Sequence, residues 1–158
     1  MINYPYLPPG RTFKYVPADN PFMQATEEVT KRLSTDMKHP TGAVVVKDGK
    51  IIASDANRSA LRSLFLIRLH KTGWCVRKWL RIPSGQKYWL CPGCASHEFH
   101  AEHRVVLEMR KRGIDSNGAD LYHWGHWWCC KPCWDKMIEA GIKDVYLLEG
   151  SEKLFMRK

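Results

Sequence analysis

The chain has 158 residues, a mass of 18.4 kDa and 44% hydrophobic residues, enough for one domain with a core of its own, which excludes wholesale disorder. Lys plus Arg number 25 against 16 Asp plus Glu, a net +9, so an anionic partner is expected. No apolar run approaches the roughly 18 residues of a membrane span, so a membrane protein is not expected.

Residues 1–20 carry Pro5, Pro8, Pro9 and Pro17 and predict an extended arm. The first residues lack a basic stretch followed by an apolar one, so no secretory leader and a cytoplasmic location are expected. Asp19 or Asn20 followed by Pro21 reads as a helix start. The helix should run over about 21–37 and bury Phe22, Ala25, Val29 and Leu33 at helical spacing. Gly42 to Val46 and Ile51 to Ala53 flank Lys47-Asp48-Gly49-Lys50, a hairpin turn between two central strands. Leu61 to Leu69 suits a short helix. Gly73, Pro83, Gly85, Pro92 and Gly93 then break the pattern, so residues 58–97 read as an insertion. Beyond it come a helix from Ala101 to Arg112 ended by Gly113, a strand from Ala119 to Trp124, a helix from Cys130 to Ala140 ended by Gly141, and a strand from Asp144 to Leu148. This order predicts a single α/β domain over 1–158, a layered sheet in which the last helices cross over between strands.

The charge is localised. From Ala56 to His97 there is no acidic residue, while Arg58, Arg62, Arg68, Lys71, Arg77, Lys78, Arg81 and Lys87 supply +8. A phosphate, a nucleotide or a nucleic acid meeting residues 58–87 accounts for such a run; a solvated basic face is the plainer account. Trp74, Trp79 and Trp89 interleave with these cations, as in a single-strand groove, although a small core would also use them.

Six cysteines without a leader argue for metal rather than disulfides. Cys91-Pro92-Gly93-Cys94 and Cys130-Lys131-Pro132-Cys133 are two C-x-x-C pairs, and Cys/His ligation favours zinc, Zn2+. His100 and the Cys130/Cys133 pair open successive helices, giving three ligands and an open fourth position, at which zinc would bring the pKa of bound water towards ~7. Glu102, two residues past the histidine, can carry the water proton to a leaving amine. Cys129 as a fourth ligand would instead close the site, but adjacent cysteines seldom share one tetrahedral ion. Cys91 and Cys94 suit a second, structural zinc with Cys75. Its fourth ligand is His97 or His70, with His97 the nearer in sequence to the pair.

His100-Ala101-Glu102 followed by Cys130-x-x-Cys133 resembles the zinc-dependent cytidine and deoxycytidylate deaminases, whose signature is H-x-E and P-C-x-x-C. Thr41 to Ala53 resembles the family's first hairpin and Ala140 to Tyr146 the stretch after its cysteines, with the deoxycytidylate branch the nearer. The resemblance implies a three-layer cytidine-deaminase-like fold, a central mixed sheet with helices on both faces, interrupted here by the zinc-stapled insertion. It also implies a cytosine nucleotide substrate, dCMP converted to dUMP, and a homo-oligomer. Asn57 falls where the family binds sugar, and Ala101 lies inside the motif. Trp124, Trp127 and Trp128 approach the cysteine pair and are expected to stack on the pyrimidine, and Arg58 and Arg62 to hold the phosphate. Cys129 departs from the family's proline. Two alternatives remain: deamination of cytosine within a DNA or RNA strand, and a non-catalytic zinc module that holds nucleic acid or a partner.

Overall fold

A computed structural model describes residues 5–83 and 86–156; the first four residues of the expected arm and Gly85 of the insertion lie outside the described residues. Five strands form one sheet in the order β1-β5-β4-β2-β3: β1 Phe13–Val16, β2 Gly42–Lys47, β3 Lys50–Ala56, β4 Asp120–Trp124 and β5 Val145–Leu148. β2 is antiparallel to both β3 and β4, whereas β4, β5 and β1 run parallel. The connections dictate this mixture. Asp48 and Gly49 both take positive φ, 51° and 73°, the turn geometry that matches the twist of a two-strand hairpin. Parallel β4 and β5 instead need a crossover.

Helices cover both faces. The first, α1 (Pro21–Leu33), lies on one side, and α4 (Ala101–Lys111) and the crossover α5 (Lys131–Glu139) on the other. Within the insertion are α2 (Leu64–Thr72), α3 (Val76–Trp79) and two 3-10 turns, Tyr88–Leu90 and His97–Phe99; α6 (Ser151–Phe155) follows β5. Successive β2 side chains point to opposite faces. Val44 and Val46 pack with Met23, Val29 and Tyr122 under α1. Ala43 and Val45 pack with Val105, Met109, Trp134 and Met137 under α4 and α5. The unbroken apolar run of β2 thus belongs to a strand buried on both faces.

Three expectations change. The arm contains a strand: Phe13 to Val16 pair with Val145 to Leu148, and Phe13 meets the Trp134 ring at 5.3 Å. α1 stops at Leu33, because Ser34 is extended and the Asp36 carboxylate accepts the Lys38 and His39 backbone N–H groups at 3.0 Å each, which turns the chain. The buried face of α1 is also shifted, to Met23, Thr26, Val29 and Thr30, with Phe22, Ala25 and Leu33 only partly covered. The two threonines are buried without an orphaned hydroxyl, since Thr26 donates to the Phe22 carbonyl and Thr30 to the Thr26 carbonyl at 2.7 Å each.

The insertion is tied to the domain where it begins. Arg58 N–H donates to the Phe99 carbonyl at 3.0 Å and Ser59 N–H to the Thr35 hydroxyl at 2.9 Å. Trp79 and Trp89 are exposed, so neither belongs to a small core of the insertion.

Candidate active site

His100 and Cys130 are the residues just before α4 and α5, both in extended conformation, and neither side chain caps its own helix. The packing of α4 against α5 instead brings the two helix starts together. His100 Nδ1 lies 3.5 Å from Cys130 Sγ and 3.6 Å from Cys133 Sγ. Zinc with Zn–S of about 2.3 Å and Zn–N of about 2.0–2.1 Å in tetrahedral geometry requires S···N edges of about 3.6 Å, so this donor set fits the ion. The other ring nitrogen, Nε2, donates to the Ala95 carbonyl at 3.2 Å, which fixes the tautomer and leaves the Nδ1 lone pair facing the sulfurs.

The thiols answer to one another. The hydrogen bond from Cys133, and then His100, pull Cys130 down to about 5; the same Cys130–Cys133 bond and burial push Cys133 up.

Glu102 lies in the first turn of α4 and is buried. Burial opposes its charge, but His123 and then His100 outweigh it, helped by a hydrogen bond from Cys129, and the carboxyl stays below its usual range. His123 Nε2 is 3.9 Å from Glu102 Oε1, and His123 Nδ1 bonds the Gly42 carbonyl at 3.0 Å. Glu102, His123 and Cys129 thus form a second buried cluster, beside His100, Cys130 and Cys133. The sequence motifs do not point to His123. Its only signal there is a histidine in the middle of a strand that otherwise reads as core.

His100, Glu102 and Cys130 share a cavity of about 440 Å³, within the ~300–1,000 Å³ usual for small-molecule sites. A sequence profile of the cytidine and deoxycytidylate deaminase zinc-binding region matches residues 17–149. The chain belongs to this family. Over 138 residues it is 26% identical to ComE operon protein 2 of Bacillus subtilis (strain 168), spanning 82% of this chain but only 59% of that relative's length. The dCMP deaminase of cyanophage S-TIM5 in its apo form gives a TM-score of 0.49 at 23% identity over 85% of this chain and 86% of that one. The same enzyme solved with dCMP and dUMP gives 0.51 at 22% identity over 84% of each chain. The three-layer cytidine-deaminase-like fold is therefore shared.

Within this family member, the expected substrate residues separate. Asn57 and Trp127 line the cavity. The Asn57 side-chain oxygen accepts from the Ser34 hydroxyl at 2.6 Å and the Thr41 N–H at 2.9 Å, and its amide donates to the His39 carbonyl at 2.7 Å. Most of its capacity thus holds the loop. Ala101 is wholly buried in the core beneath α4, outside the lining. Trp124 packs edge-on against Phe155 at 5.1 Å and does not line the cavity either. Arg58 is engaged by Asp55 at 3.6 Å and Arg62 is exposed ahead of α2, so both expected phosphate ligands stand outside the lining. The cations that do line it are Lys38, Arg77 and Lys78, of which the last two stand out in the sequence only as members of a charge run. His126, Trp128 and Tyr88 complete an aromatic wall.

Cys75, Cys91 and Cys94 come together, but the histidine beside them is His70. His97 is exposed on its 3-10 turn and faces the His103 ring at 6.2 Å. Nearness in sequence is a poor guide here, because α2 returns His70 to the Cys91–Cys94 turn.

Proposed function

We propose that this protein hydrolyses the 4-amino group of cytosine in a free nucleotide, converting dCMP and water to dUMP and ammonia. The observation that carries this reading is Glu102, buried with its carboxyl held below its usual range, lining the same cavity as His100 and Cys130 of a three-donor site that fits zinc and has no fourth protein ligand among the described residues. When bound there by His100, Cys130 and Cys133, zinc supplies the Lewis acidity that brings water towards hydroxide at neutral pH. Glu102 takes one proton of the attacking water and passes it to the ring nitrogen, then takes the second, from the hydroxyl now on the amine-bearing carbon, and passes it to the departing amine. The Ala95 carbonyl keeps His100 in the tautomer that coordinates, and Cys129 donates to Glu102 without entering the cavity.

Lys38 and Lys78 are the cations we assign to the nucleotide phosphate, in place of Arg58 and Arg62. Trp127, Trp128 and Tyr88 give apolar faces against which the pyrimidine can lie. The spare amide hydrogen of Asn57 suits a sugar hydroxyl.

An initial-rate screen of cytidine, deoxycytidine, CMP, dCMP and a cytosine-containing oligonucleotide, reading ammonia and uracil, tests this. dCMP should be the fastest. Glu102→Gln should lose about 10²–10⁴-fold in turnover with its zinc content unchanged. Release of ammonia from none of these substrates would refute the reading.

One observation favours a strand as substrate instead. Phe65, Trp79 and Trp89 are 71%, 62% and 77% exposed among exposed Arg62, Arg68, Lys71, Lys78, Arg81 and Lys87. Rings and cations so mixed are what a single-strand groove uses.

A further inference from the structure

We propose that His70, Cys75, Cys91 and Cys94 form a second, closed zinc site, and that this site holds the insertion in place as one wall of the active-site cavity. The four donor atoms lie within 4.8 Å of one another and all four residues are buried. Cys75 Sγ and Cys94 Sγ are 3.7 Å apart, and His70 Nε2 is 3.6 Å from Cys94 Sγ. A tetrahedral zinc requires S···S edges of about 3.8 Å and S···N edges of about 3.6 Å. The sulfur separation is far beyond the ~2.05 Å of a disulfide. Four protein ligands leave no open position, so the site is structural.

The surroundings fit a metal better than three idle thiols. The buried cluster of the insertion consists of the three cysteines, with only Val76 and Tyr88 packed on it among the described residues, while Leu64, Phe65, Trp79, Leu80 and Trp89 face solvent. A segment with so little apolar core needs another source of stability. Three thiolates around Zn2+ leave one negative charge. Arg77, itself buried, donates to Cys94 Sγ at 3.6 Å and supplies the compensating positive charge. Its Nη2 and Nε donate to the Pro83 and Gln86 carbonyls at 2.8 and 2.9 Å, and its guanidinium carbon lies 4.0 Å from the Tyr88 ring centroid. A Cβ at position 93 would run into the His70 ring, so the turn between the paired cysteines is shaped for that histidine.

The site is joined to the catalytic one. Cys75, Arg77, Tyr88 and Cys94 line the same cavity as Glu102, and Ala95, next to Cys94, is the residue whose carbonyl orients His100. The metal would therefore fix the wall that meets the substrate. This consequence rests on the proposed deaminase activity; the metal site itself does not.

Elemental analysis of the full chain tests the site without reference to activity. Wild type and His97→Ala should each hold two zinc ions per chain. Cys91→Ser and His70→Ala should hold one, and His70→Cys, which restores a fourth ligand, should again hold two. One zinc in wild type, a loss in His97→Ala, or two retained in Cys91→Ser would overturn the site. For the wall, Cys91→Ser should lower kcat/KM for the cytosine nucleotide about tenfold or more, since misplacement by about 1 Å is costly, with the first zinc retained. An unchanged kcat/KM would overturn the wall while leaving the metal site. Two zinc ions with no deamination of any cytosine compound would sink the enzyme reading and leave the second site standing.

Discussion

Cys129 occupies the position at which the family signature carries a proline, and its thiol is spent on Glu102. Burial and the adjacent carboxylate push its pKa well up, so it remains an S–H donor throughout the working pH range. A hydrogen bond to a charged group is worth about 1.5–3 kcal/mol, only part of which reaches the transition state. Cys129→Ala should lower kcat about tenfold while KM and zinc content stay as in wild type; steady-state kinetics with metal analysis will show whether the split is as stated. His126 offers a pH test. Burial, with His123 acting in the same direction, holds its imidazole down to about 4, against about 6.5 for an unperturbed histidine. The unfolded chain therefore takes up this proton near pH 6.5 and the folded chain only near 4. Its effect on stability is nil above 6.5 and grows unfavourable as pH falls through that window, up to about 3 kcal/mol, less because the ring is partly exposed. His126→Gln should narrow the difference in urea midpoint between pH 7 and pH 5 by the equivalent of about 1–2 kcal/mol. An unchanged difference would mean that burial does not penalise the charged ring.

At the scale of elements, the packing of α1 on the sheet depends on Gly42. A Cβ there would collide with the Thr30 hydroxyl and approach the Thr26 carbonyl to 3.0 Å. Gly42→Ala should cost about 2–3 kcal/mol in urea denaturation, in the range of overpacked cores. Adding Thr30→Ala should recover about 1 kcal/mol or more of this as coupling between the two sites; simple additivity would place the strain elsewhere. The same close approach explains what can be read in the sequence. Hairpin, crossover helices and the parallel last strand are legible because each is announced locally, by Asp48-Gly49, by helical spacing and by Gly113 and Gly141. The burial of Thr26 and Thr30 is not, because it depends on a glycine in the next element and on hydroxyls bonding back along their own helix. β1 is hidden for a similar reason: its four residues gain their meaning from a parallel partner about 130 positions later. The metal-type donors are legible as residue types and pairs. The choice of His70 over His97 is not, since it is made by the return of α2.

For the molecule as a whole, the acid-free segment is plain in the sequence, but its division is not. Arg77 turns inward and Arg58 meets Asp55, while Arg62, Arg68, Lys71, Lys78, Arg81 and Lys87 stay exposed. Of these exposed cations, Lys78 alone among the described residues also lines the cavity. The two substrate readings therefore make different demands on the same surface. A free nucleotide needs only the cations at the cavity, so Lys78→Ala or Lys38→Ala should raise KM for dCMP about tenfold, the size expected when one charged hydrogen bond is removed, and leave deoxycytidine nearly unaffected. Arg62→Ala and Arg68→Ala should then change neither. A strand needs the whole row: each neutralisation should weaken oligonucleotide binding modestly and flatten the slope of log K against log salt by about 0.7 for each phosphate left without its cation. Initial rates on dCMP and deoxycytidine, with oligonucleotide affinities across a salt series, separate the two. We expect the nucleotide pattern, because the cations that line the cavity are few and residues of α6 and of the turn before Cys130 line it as well. A steep salt slope, flattened by Arg62→Ala and accompanied by faster uracil formation in the oligonucleotide than in dCMP, would instead assign the exposed tryptophans and arginines to a bound strand and leave the deamination chemistry unchanged.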